Sequence, residues 1–165
     1  MSPHQDTERL ASRSAAITSA AGVCRVPGSA EALSRLLAAR YSEPFAWGSH
    51  DCCLLAADAI AAQVGIDPAR GLRGRYATAL QARRVIAMCG GSLEAIATAA
   101  LGDPLRAPLL ACAGDIGRVR SATTDADCEE VLAVCAGQWW AVPTRQGLGM
   151  RPLSAGIQSW RVGCG

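Results

Sequence analysis

Lysine and asparagine are missing altogether from this chain of 165 residues. All 16 basic residues are therefore arginine, a bias that a GC-rich genome explains more simply than an arginine-specific function. Aromatic residues are scarce at 4%, and charged residues, at 18%, fall below the usual quarter. The expected surface is weakly charged, of the kind that partners cover. A net charge of +2 spread over scattered arginines lacks the basic stripe of a nucleic-acid binder. Half of the residues are apolar, yet no apolar run is long enough to span a bilayer. CxxC spacing is absent too, so a metal site would have to be gathered from positions such as Cys52, Cys53, Cys128 and His50. No metal or other cofactor is expected.

Eight cysteines are present, but their positions do not read as a disulfide framework. Cys89, Cys112 and Cys135 lie among Ala, Leu, Val and Met, where a thiol behaves as a small buried hydrophobe. No secretion signal calls for an oxidising compartment. Residues 14–24 resemble a weak lipoprotein signal ending at Cys24. However, residues 15–23 are only mildly apolar, and Asp6 and Glu8 stand where basic residues belong, so Cys24 is not read as lipidated.

The length suits one domain. Residues 1–28, rich in Ser and Ala and ending at Pro27-Gly28, read as an N-terminal arm outside the core, and residues 29–165 as the domain. Ser29 is placed to cap a helix carrying Leu33, Leu36 and Leu37 on one face. A second helix, apolar almost all round, is expected from Cys52 to Val64, with Gly65 just past its end and its body buried. Residues 67–76 read as an Arg/Gly-rich loop. Residues 77–88 and 93–101 read as two further helices, the latter capped by Ser92. Strands follow at residues 115–120, 131–136, 138–142 and 157–162, with a hairpin at Gly137. Helices first and strands second predict an α+β fold, a central buried helix packed on a small antiparallel sheet. Trp139-Trp140 on a strand places one indole inward and one outward, where it can anchor a partner.

Cys52 follows Asp51 at the start of the buried helix. Unpaired N–H groups and the positive end of the helix dipole favour a thiolate there. The same two residues also read more simply, as an N-cap and filler. The wider run Pro44-Phe45-Ala46-Trp47-Gly48, then Asp51-Cys52, resembles the nucleophile region of NlpC-type papain-like cysteine peptidases. In them a Pro-Tyr-x-Trp/Tyr-Gly segment leads to Asp-Cys-Ser-Gly. Gly114-Asp115-Ile116 and residues 131–137 resemble that family's sheet motifs, in the same order. The chain also resembles an uncharacterised family of phage and prophage tail modules. The shared features are a Phe-x-Trp-Gly-x-His-Asp-Cys-Cys run, an Arg-Gly-Arg-Tyr loop and a terminal Trp-Arg-Val.

The resemblance implies a nucleophile at Cys52, but it fails where a base belongs. With Gly137 as anchor, the family's histidine position falls on Val131, and a shift of one residue gives Glu130, which cannot do the same job. The family's active-site tyrosine corresponds to Phe45, and Cys53-Leu54 replace Ser-Gly. His4 lies in the arm. His50 is a candidate base, but side chains two apart diverge at a helix start, so it is expected to satisfy loop carbonyls or face solvent. Phe45, Trp47, Trp139 and Trp140 are the binding candidates. The implied function is a structural or docking component of a phage tail tip, contacting other tail-tip proteins in a virion assembled in the bacterial cytoplasm. The alternatives are an active peptidoglycan endopeptidase working during DNA delivery, and a tail-assembly factor absent from the finished particle.

Overall fold

The computed structural model describes residues 16–121 and 128–164; His4, Asp6 and Glu8 lie outside them. Among the described residues, four helices precede five strands: α1 (Ser29–Arg40), α2 (Cys52–Val64), α3 (Ala79–Met88), α4 (Leu93–Leu101), β1 (Ile116–Arg120), β2 (Glu130–Cys135), β3 (Trp139–Thr144), β4 (Gly147–Pro152) and β5 (Gly156–Trp160). The strands form one sheet, ordered β4-β3-β2-β1-β5 and antiparallel throughout. The expected α+β architecture is present. No single helix among the described residues is long and apolar enough to cross a membrane.

The helix termini follow local chemistry. The α2 helix starts where the Asp51 side chain accepts from Leu54 N and stops at Gly65, whose φ of 74° closes the last turn. Thr78 and Ser92 cap α3 and α4 with their hydroxyls, so α3 begins two residues later than expected. Ser29 is not a cap. Gly28, at φ 76°, occupies that position without a side-chain bond, and Ser29 is already helical.

Flat, five strands at ~4.8 Å spacing would hold their outer edges about 19 Å apart. Yet the edge strands β4 and β5 are joined through a single 3-10 turn, Leu153–Ala155, which advances only about 2 Å per residue. The sheet must therefore curl until its edges approach, forming an open barrel. Val119, Val131, Ala133, Cys135, Trp140 and Val142 fill its inside. Gly117 makes room there: a Cβ on it would lie 2.5 Å from the Trp140 ring. The outer face carries Ile116, Leu132, Val134 and Trp160, against which α2 packs Leu55, Ala59 and Ile60. Each such buried aliphatic side chain contributes roughly 1.5–3 kcal/mol.

The sequence reading missed β4, whose Gly147-Leu148-Gly149 start is poor in strand formers. Gly147 is demanded by packing. A Cβ there would lie 2.1 Å from the Tyr41 carbonyl oxygen, which accepts from Leu148 N.

Residues 16–28 do not form an arm outside the core. Ile17 and Ala20 are buried in the helix–sheet core, Thr18 N donates to Pro68 O and Ala20 N donates to Ala100 O. Mildly apolar residues suffice because each fills a gap between elements. The disulfide expectation is also corrected, since Cys24 is bonded to Cys164 with their Cα atoms 4.7 Å apart. Beside this bond, fully buried Asp115 accepts from Val162 N, Cys112 N and the guanidinium of Arg25, and pairs with Arg161. Cys112 is exposed rather than buried, whereas Cys89 and Cys135 are buried as expected.

The bond closes a loop of 140 residues, which removes much of the unfolded chain's freedom. Reduction, or Cys24→Ser, is expected to lower stability by about 3–5 kcal/mol, checked by denaturant unfolding with and without reductant.

Candidate functional site

β2 and β3 are laddered at Val134↔Ala141 and Cys135↔Trp140. Towards the start of β2 the two strands part, and α2 packs against both. Cys52, the first residue of α2, touches both apolar clusters at this opening. The sequence reading placed the nucleophile at the head of the interior helix, and Cys52 stands there, half-buried.

The loop ahead of it is held by one carboxylate. Asp51, 1% exposed, accepts from Leu54 N at 3.0 Å through Oδ1, and from Gly48 N at 2.9 Å and Tyr76 Oη at 2.7 Å through Oδ2. It is a helix cap and a latch between the Trp47 loop and the loop ending at Tyr76. Burial and the adjoining Asp51 charge push the Tyr76 phenol above its ordinary range, so it stays a donor. Gly48 is at φ 76°, and a Cβ on it would fall 1.8 Å from the Tyr76 carbonyl oxygen. Phe45 and Trp47 meet edge to face, with ring centroids 4.8 Å apart.

The two adjacent thiols act on each other: the Cys53 thiol lowers that of Cys52, and its own is raised well above the usual value. The Leu132 backbone amide also favours an ionised Cys52, against burial and the Asp51 charge. Of the two, Cys52 ionises first.

The candidate base lies elsewhere. His50 is 1% exposed, so it does not face solvent, and neither ring nitrogen meets a partner among the described residues. The expectation that it satisfies loop carbonyls or reaches solvent is therefore corrected. Burial lowers its imidazole, opposed in part by Glu43. Arg40, Asp58 and Asp51 also act on it, and it is not among the residues that line the cavity beside Cys52. Val131, where the resemblance put a histidine, points into the barrel. On β2 the residues facing Cys52's cavity are Glu130 and Leu132, because side chains alternate along the strand, and β1 adds Ile116 and Arg118.

That cavity, of about 370 Å³, runs between α2, α3, α4 and the sheet. Trp47, Tyr76, Cys128, Arg118 and Glu130 stand around its thiol end. Arg118 binds Glu130 and Gln158, and Gln158 binds Glu94, so these charges are tied to one another. The sequence reading missed Tyr76 as a site residue. It looked for a hydroxyl at Phe45, while the structure supplies one from the Arg-Gly-Arg-Tyr loop. Trp140 is buried inside the barrel and Trp139 is 52% exposed, as the strand alternation required. No three His, Cys, Asp or Glu residues converge as a metal would need among the described residues.

A family model for a domain of unknown function, DUF6950, matches residues 24–162. The chain belongs to the DUF6950 family. No curated protein and no solved structure matches it. The DUF6950 match starts at Cys24, so it takes in part of the segment first read as an arm.

Gly48→Ala is expected to destabilise the protein by about 3 kcal/mol or more, and Tyr76→Phe by about 1.5–3 kcal/mol, both measured by denaturant unfolding. His50 contributes to pH dependence with a definite sign. Its folded value lies below the ordinary 6.5, so the unfolded chain binds the extra proton first, and stability falls as pH drops below that value. His50→Leu, which removes two unpartnered buried nitrogens, is expected to keep or raise stability at pH 7.5 by about 1 kcal/mol. It should also flatten the decline towards pH 5. Melting temperatures across that range check both.

Proposed function

We propose that this DUF6950 chain is a structural, docking component of a phage or prophage tail tip, built on a papain-like NlpC-type fold without peptidase activity. The ordered motifs around Cys52, Asp115 and the β2–β3 hairpin support the fold. The helix headed by a cysteine and packed on a curled antiparallel sheet is compatible with it. The observation that supports the loss of activity is the wall of the Cys52 cavity, where the strands present Ile116, Arg118, Glu130 and Leu132 and where no imidazole stands among the described residues. Amide cleavage needs a proton delivered to the leaving nitrogen, and without general acid–base help about 100- to 10,000-fold in rate is forfeited. Glu130 Oε2 is held by Arg118, an ion pair that disfavours protonation of this carboxylate. Trp139, Met150 and Pro152, exposed on adjacent positions of β3 and β4, supply an apolar face for a neighbouring tail-tip subunit.

The rival reading, a peptidoglycan endopeptidase, is favoured by the lowered Cys52 thiol and the cavity beside it. The two separate on incubation with purified peptidoglycan. Wild-type protein and Cys52→Ala are expected to release the same background of stem peptides. Release by the wild type that vanishes in the variant would replace the structural reading with the enzymatic one. Mass spectrometry of purified tails is expected to find the chain in the particle; its restriction to unassembled fractions would make it an assembly factor.

A further inference from the structure

The cavity has two unlike ends. Cys52 and Ile60, eight positions apart on α2, both line it, so it follows that helix for about 12 Å. The groups near Cys52 include exposed or half-buried Glu94, Arg118 and Glu130. Around Ile60 the wall is closed by Ile17, Leu72, Ala97, Ala100 and Leu101, all buried. The part beside Ile60 is thus an aliphatic slot without an aromatic ring or a polar group to recognise. Peptidoglycan stem peptides, rich in amides and carboxylates, have nothing to bond there. An unbranched hydrocarbon chain fits such a slot, with its head left beside a thiol.

We propose that the cavity binds a medium-length acyl chain and that Cys52 carries it as a thioester, taken from an acyl thioester donor. Cys52 Sγ, as the thiolate, attacks the donor's carbonyl carbon. The Sγ–C bond forms, the donor's C–S bond breaks, and the departing thiolate takes up the proton that Cys52 gave up. No electron changes hands. Thiolate attack on a thioester expels a good leaving group and needs no protonated amine, so it proceeds where amide cleavage stalls. The Leu132 amide and the Cys53 thiol favour the required sulfur anion. Hydrolysis of the product would need a base to activate water, and among the described residues the carboxylates lining the cavity are each hydrogen-bonded: Asp51 to three donors, Glu94 to Gln158 and Glu130 to Arg118. The adduct therefore persists. This last step rests on the reading of a site without a working base.

The test uses the full-length protein with decanoyl-coenzyme A and, separately, acetyl-coenzyme A, followed by intact mass and peptide mapping. The expected result is one decanoyl group on Cys52, released by neutral hydroxylamine and absent from Cys52→Ala. It should form at least about tenfold faster than the acetyl adduct, because burying the extra methylenes adds binding to the transition state. Ala97→Phe, which fills the inner slot, is expected to slow decanoylation by a similar factor. If that variant does not fold, the chain-length comparison on wild-type protein decides alone. Equal acetyl and decanoyl rates, labelling that maps to another cysteine, or no label at all would overturn the proposal. A decanoyl adduct that forms and then turns over would instead overturn the catalytically silent reading, leaving the acyl slot in place.

Discussion

The site depends on a single buried carboxylate. Asp51 fixes the first turn of α2, turns the Trp47 loop back at Gly48 and draws in Tyr76 from a loop 25 residues further on. A carboxylate taken out of water is tolerated only when its lone pairs are met, and here three donors meet them. The cost of losing one donor is therefore borne by three segments at once. It also fixes where the Cys52 sulfur stands, since that residue has no freedom once the helix start is set. Asp51 opposes ionisation of the same sulfur through its charge. The helix N-terminus, the Leu132 amide and the Cys53 thiol offset it. The sulfur is poised by position, and its anion is favoured only because those donors outweigh the carboxylate.

The curled sheet explains why α2 can enter at all. Parallel edges would pair β2 with β3 along their whole length and close the barrel to the helix. Joining β4 to β5 through three residues bends the sheet instead, and β2 and β3 separate near Leu132. Cys52 sits in that opening, touching the barrel interior and the helix–sheet core together. Gly117 and Trp140 take part in the same curvature, since the indole lies across β1 only where no Cβ intervenes.

The limits of α2 were legible in the sequence to the residue, because Asp51 and Gly65 are strong local signals and the run between them is uninterrupted. The exposed and buried members of Trp139-Trp140 were legible for a similar reason, as strand alternation is local. What could not be read was anything set by distant contact. Cys24 and Cys164 meet only because Arg25 and Val162 converge on Asp115. The β4 strand exists because the Tyr41 carbonyl approaches Gly147, which no propensity encodes. Tyr76 reaches the site through tertiary folding, with no sequence neighbour to announce it. Anchoring on Gly137 selected Val131 and a shift of one residue Glu130; the structure turns Val131 into the barrel and Glu130 towards the cavity, as a one-residue step on a strand must.

That alternation bears on what each β2 position could offer Cys52. A histidine at Val131 would point into the barrel, among Val119, Trp140 and Val142, and would serve nothing. The β2 residues that line the Cys52 cavity are those on the strand's outer face, Leu132 and Glu130. Leu132 contributes only its backbone amide, which stabilises the anion but accepts no proton. Glu130 is a carboxylate in the right region, yet Arg118 occupies it and is itself held by Gln158. Freeing Glu130 would break an ion pair and leave a half-buried guanidinium with fewer acceptors. His50 is buried and is not among the residues that line the cavity beside Cys52. The arrangement thus sets Cys52 at the head of α2 beside carboxylates that other groups hold, with no imidazole among the described residues that line its cavity.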